Sequence, residues 1–324
     1  MKNIIIKTRA AVLSSILLFA AQAVKAQYDA MFTQYMFNEM FINPAYAGSK
    51  EAMSATLMHR QQWVNFPGRP ITTSFSLHGP VQGDKMGLGF SILNEKVGVM
   101  TRNLIYASYA YRLKFANKST LAMGLMGGLE NQMNKLNTLK VSNDAASAQA
   151  QVDPQFGNTP NVVAPNFGAG LYYSAKKLYV GLSIPRMIDN TVKFGTDGTS
   201  TIKTTKIAPS KFTYYLTAGY VFTLNEDFKL KTNVMMQAVQ NAPLVLNIGA
   251  NLLIKDLVWA GLSYRSGSSL SVILGLQVNK QFLVCYSYDY GLNMIQQYSQ
   301  GSHEIVLNYL FSFTGRKIVT PRYF

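Results

Sequence analysis

Period-two alternation of apolar and polar residues recurs along the chain. From Ile71 to His78, Ile71, Thr73, Phe75 and Leu77 share one face, and Thr72, Ser74, Ser76 and His78 share the other. A helix would mix these two sets, whereas a strand separates them. Leu270, Val272, Leu274, Leu276 and Val278 repeat the pattern, as do Ile305, Leu307, Tyr309 and Phe311. Fourteen segments qualify as strands: 52–60, 70–78, 86–94, 102–115, 119–130, 165–174, 177–185, 211–223, 228–238, 243–253, 257–264, 269–278, 281–289 and 302–313. The strongest approach the roughly ten residues that a tilted strand needs to cross a bilayer. After residue 26 no stretch approaches the ~18 consecutive apolar residues of a spanning helix.

The connections sort by length. With the first strand starting in the periplasm, every second connection should be a periplasmic turn. These are short and rich in Asn, Lys and Asp, as in 116–118, 224–227 and 279–280. The alternate connections include the long stretches 131–164, 185–210 and 289–301. Short inner turns with long outer loops are the asymmetry of outer-membrane barrels. An even strand count also returns both ends of the barrel to the periplasm. In hydrocarbon every backbone N–H and C=O must pair internally, so such a sheet has to close. The expected fold is all-β: a transmembrane antiparallel β-barrel of fourteen strands with a short N-terminal plug or periplasmic segment. Tyr106, Tyr109, Tyr111, Tyr286, Tyr288 and Tyr290 are expected in interfacial girdles.

Composition supports this reading. Charged residues make up 14% of the 324 residues, against about 25% in soluble domains. A nucleic-acid-binding domain or a disordered chain would carry more charge. A soluble β-sandwich or propeller would have a polar exterior, more charge or a fixed repeat period, and none is found. One cysteine, Cys285, excludes a disulfide framework. Residues 1–26 read as a secretory signal peptide: Lys2, Lys7 and Arg9 precede the apolar run Ala10–Ala21, and Val24-Lys25-Ala26 suits cleavage. Its removal lowers the net charge from +15 to +11, with no single basic patch.

Between the signal and the first strand stand Gln34-Tyr35-Met36-Phe37-Asn38 and Phe41-Ile42-Asn43-Pro44-Ala45-Tyr46-Ala47-Gly48-Ser49. Further on come Arg60-Gln61-Gln62-Trp63-Val64, then Ser74–Pro80 followed by Gly87-Leu88-Gly89, and finally Tyr288-Asp289-Tyr290 with Gly301–Ile305. This ordered set resembles the PorP/SprF family of Bacteroidetes type IX secretion membrane proteins. The resemblance spans the mature chain and is weakest at 131–164; the tail 314–324 runs past it. It implies a non-enzymatic outer-membrane component of type IX secretion and, in some relatives, gliding. Its expected partners are periplasmic ring and lipoprotein components, secreted or surface cargo, and outer-membrane lipid, but no nucleic acid.

The expected organisation is signal peptide 1–26, plug or docking segment 27–50, barrel 51–313 and tail 314–324. The segment 27–50 is too polar for a membrane strand, and Asn43-Pro44 disfavours helix there. Its aromatics need burial, either in the lumen or at a periplasmic face. Tyr35, Phe37, Phe41, Tyr46, Arg60 and Trp63 are the candidate partner contacts. Arg60 could equally be a lumen charge paired with an acid, and Trp63 an aromatic-belt residue. No catalytic, cofactor or metal site is indicated. His303-Glu304 lacks an HExxH context, and neighbours on a strand face opposite ways. Gly87-Leu88-Gly89 is no dinucleotide motif, because position 92 is Ile. Ser76 and His78 share a face but make no hydrolase by themselves. The rival function is a passive or lipid-type transporter gated by 27–50.

Overall fold

The computed structural model describes residues 31–50, 52–81, 85–135, 161–194 and 200–311. The signal peptide, its cleavage site and the tail 314–324 lie outside them. The strands are β1 (Met53–Gln61), β2 (Ile71–Val81), β3 (Met86–Val97), β4 (Met100–Lys114), β5 (Thr120–Asn134), β6 (Asn161–Ser174), β7 (Leu178–Ile184), β8 (Ile188–Phe194), β9 (Ser200–Ile207), β10 (Thr213–Thr223), β11 (Phe228–Val239), β12 (Val245–Ile254), β13 (Val258–Arg265), β14 (Ser269–Gln277), β15 (Phe282–Gly291) and β16 (Ser302–Phe311). Fourteen of them form a closed antiparallel barrel in which sequence neighbours pair, β7 pairs with β10, and β1 pairs with β16. β8 and β9 form a separate two-stranded sheet. It lies in the stretch expected as an outer loop, 185–210, whose Lys and Thr residues carry no two-period apolar face to betray it.

Alternation is the organising rule of the wall. Phe75, Leu125, Leu216, Leu262, Leu274 and Ile305 are exposed on the outside. Ser74, Ser76, Asn166, Thr217, Asn233, Asn251 and Ser287 are buried on the inside. This is the lipid-out, polar-in signature of a membrane barrel. Near the end that carries the long connections, the outer apolar belt stops at a polar row. His59, Thr73, Asn94 and Asn103 are successive cross-strand neighbours on β1–β4. His59 and Thr73 are hydrogen-bonded at 2.9 Å, and Asn94 donates to Asn103 at 2.6 Å. One step further into the belt the equivalent row is Leu57, Phe75, Ile92 and Ile105. Tyr109, Tyr111, Tyr286, Tyr288 and Tyr290 point outward on their strands, while Tyr106 is buried inside and donates to Glu130. Tyr106 is no girdle residue, because its parity on β4 matches the inward Ser108 and Ala110.

The inner turns repeat one device. Asn117, Asn225 and Asn279 each accept backbone N–H bonds from residues two or three positions on. These are Asx turns, in which a short amide side chain stands in for a turn carbonyl. If the exterior is lipid-facing, replacing Leu274 at the middle of β14 by Arg should cost about 2–4 kcal/mol. Urea unfolding from lipid vesicles measures this, and a cost near zero would remove that face from hydrocarbon.

Candidate functional site

Residues 31–50 run inside the barrel, from its outer half to its inner end. Thr33 and Gln34 meet the outer ends of β15 and β16. Tyr35 reaches Asn233 in mid-β11, and Gly48 reaches His78 near the inner end of β2. The chain then turns into β1. Both β1 and β16 have their terminal ends at the inner side, as the even strand count requires. The segment ahead of β1 doubles back up the lumen.

At the outer half, four wall charges gather around Thr33. Arg60 on β1 and Glu304 on β16 are direct cross-strand partners at the barrel seam. Arg60 contacts Glu304 at 2.9 Å and Asp289 of β15 at 2.6 Å, all three side chains being at most 4% exposed. Both oxygens of Glu304 are further engaged by the backbone N–H groups of Thr33 (2.9 Å) and Gln34 (2.8 Å). The Thr33 hydroxyl donates to Asp289 at 2.7 Å and accepts from Arg60 at 3.0 Å and from Arg265 at 3.4 Å. One donor and two lone pairs are all it has. Buried ion pairs repay their desolvation only when the remaining polar valences are met. Here the lumen segment meets many of them, so the seam charges and the segment stabilise each other.

Lower down, burial dominates. Tyr35 donates nothing to solvent; its oxygen accepts from Asn233 at 2.8 Å. Glu39 lies fully enclosed, accepting from Thr217 at 3.0 Å and facing Lys231 and Tyr179. Burial pushes its carboxyl up to about 7, against the pull of Thr217 and Lys231. Burial likewise raises the Tyr35 and Tyr46 hydroxyls, which stay neutral. Lys231 donates to the Met36 carbonyl and lies over the Phe37 and Tyr179 rings. Asn43 caps the 3-10 turn Pro44–Tyr46 by accepting from Ala45, and its amide donates to Leu171 of β6. That turn presses flat on the wall: a Cβ at Gly87 would run into the Ala47 carbonyl, and one at Gly124 into Ala45.

Four of the six expected contact residues, Tyr35, Phe37, Tyr46 and Arg60, are buried among these contacts. Their side chains are thereby closed to an outside partner. Phe41 is partly buried against Phe32. Trp63 sits in the β1–β2 loop at a positive φ of 51°, edge-on to Phe66, with its N–H donating to Ser302. Of the two surroundings open to Arg60, it has the lumen one, paired with acids. His303 faces outward against Tyr286 and Tyr288, whereas Glu304 faces inward. Ser76 accepts from Asn38, and His78 accepts from the Gly48 N–H. Cys285 packs on the lumen side beside Trp259 and Gly275. Thr33, Glu39, Asp289, Glu304 and Arg265 were not singled out as site residues. Strand parity carries a signal for the wall members, since Arg60, Asp289 and Glu304 alternate in phase with small inward residues.

Two outcomes are expected. Glu304→Gln should release the Thr33 and Gln34 amides, seen as faster hydrogen exchange there while strand amides stay protected. Unchanged exchange would mean that the segment is held elsewhere. The raised carboxyl of Glu39 binds its proton more tightly in the folded state. Its contribution is therefore fully present below about 4.5 and is lost as pH rises to about 7. Glu39→Gln should abolish that decline, worth about 3 kcal/mol at most. Unfolding midpoints of both forms between pH 4 and pH 8 test it.

The chain has been compared with known proteins. No curated protein sequence matches it. Among solved structures, Omp33 of Acinetobacter baumannii aligns at a TM-score of 0.46 and 5% identity, over 81% of this chain and 100% of that one. A Pseudomonas aeruginosa FadL homologue aligns at 0.46 and 11%, over 86% and 94%. The KdgM porin aligns at 0.38 and 11%, over 80% and 99%. Residues 24–309 match the family described as type IX secretion system membrane protein PorP/SprF. The ordered motifs, the lipid-out barrel and this match over most of the chain agree, and the chain belongs to the PorP/SprF family of type IX secretion system membrane proteins.

Proposed function

We propose that this barrel is a non-enzymatic outer-membrane component of the type IX machinery that anchors periplasmic partners, cargo, or both. The observation that carries this reading, beyond family membership, is the filling of the lumen. Residues 31–50 are tied to β1, β2, β6, β7, β10, β11, β15 and β16 by hydrogen bonds. A barrel so occupied is better suited to holding other proteins at its two rims than to passing solutes. With Tyr35, Phe37, Tyr46 and Arg60 enclosed, partners would meet the inner turns or the outer loops around Trp63. Those loops are braced together by backbone bonds between Val64 and Gly301 and between Gln300 and Val64.

The same segment supports a second reading, a transporter whose plug is 31–50. Gentle detergent extraction with partner identification, alongside planar-bilayer recording, separates the two. Scaffolding expects co-purifying secretion components, a silent barrel, and loss of cargo secretion or surface display on gene deletion. Unchanged secretion and display would overturn it, and steady conductance would favour the transporter.

A further inference from the structure

One sector of the lumen breaks the polar rule of the inner wall. At the outer half of the barrel, Leu93, Leu104, Met126 and Met235 point inward and face Phe32 and Phe41 of the lumen segment. They do not close on one another. A cavity of about 580 Å³, part of it open to solvent, remains between them. That falls within the ~300–1,000 Å³ range of small-molecule sites, which are concave and mostly apolar with a few polar groups. Its walls are the barrel itself and its floor is the segment 31–50, so it opens toward the outer mouth.

The rim sets the charge of what fits. Arg102 is paired with Glu95 at 2.9 Å, and Arg186 with Glu130 at 2.9 Å. Glu130 also accepts from Tyr106 and from Asn166. Each guanidinium is thus matched by a carboxylate, and these four rim charges sum to zero. Arg186, with its side chain 31% exposed, marks the solvent-facing lip. Methionines among the lining residues adapt to irregular apolar shapes. The encircling wall admits a small molecule more readily than a folded partner.

We propose that this vestibule is a binding site for a small, neutral, largely apolar molecule entering from the outer side. It is separate from the contacts that hold the segment and independent of the secretion role. The test uses full-length protein in amphipol with trifluoromethylbenzene as the probe, read by fluorine NMR. The wild type should give a saturable bound resonance. Met126→Trp, which fills the cavity, should abolish it. Leu104→Gln, which makes the wall polar, should weaken it by about tenfold. Both side chains face the lumen, so the strand ladder is untouched, and heat-modifiable gel migration checks folding of each. Trifluoromethylbenzoate should bind more weakly than the neutral probe, because the rim guanidiniums are already engaged. A signal that rises linearly without saturation, persists equally in both variants, or is stronger for the benzoate would overturn the assignment.

Discussion

A sheet in hydrocarbon cannot leave an edge, because each unpaired backbone group there costs several kcal/mol. The rest of this molecule follows from that constraint. The ladder has to close somewhere, and it closes between β1 and β16. At that seam the sequence puts Arg60 directly opposite Glu304. The pair is buried, so it needs further partners, and the chain supplies them from Asp289, Thr33 and the Gln34 amide. Closing the sheet, neutralising the lumen and fixing the N-terminal segment are therefore one set of interactions.

The wall was readable because its rule is local. Lipid outside and small polar groups inside impose a period of two, and short inner turns with Asn at Asn117, Asn225 and Asn279 impose the connectivity. Tyr106 was misread because an aromatic near a strand end resembles a girdle residue unless its parity is counted. The hairpin β8–β9 escaped because a two-stranded sheet outside the membrane needs no apolar face of its own. The course of residues 31–50 is a different kind of problem. It has no periodicity, and its partners lie on eight strands spread around the barrel. Its aromatics announced burial, but only tertiary contacts decide between a lumen and a periplasmic face.

The glycines have the same logic. Gly87 and Gly124 face inward where the 3-10 turn Pro44–Tyr46 lies against the wall, and a methyl group at either would displace it. The signature around Asn43 and Pro44 and the distant glycines are two halves of one fit. Neither half is explicable alone, which is why a sequence motif in a segment with no regular secondary structure can still be stringent. The outer half is packed less completely, and there the apolar sector around Leu104 and Met126 leaves space.

The contacts of Thr33, Gln34 and Arg60 with Asp289 and Glu304 join residues 229 to 271 positions apart. Such contacts cannot form until the final two strands exist. Loop-closure entropy sets them late in folding, as in any topology of high contact order. The residues that leave the export pathway first are thus among the last to be fixed. The nascent chain carries an unsatisfied end throughout assembly, and completion of the barrel is registered at the same four charges that receive it.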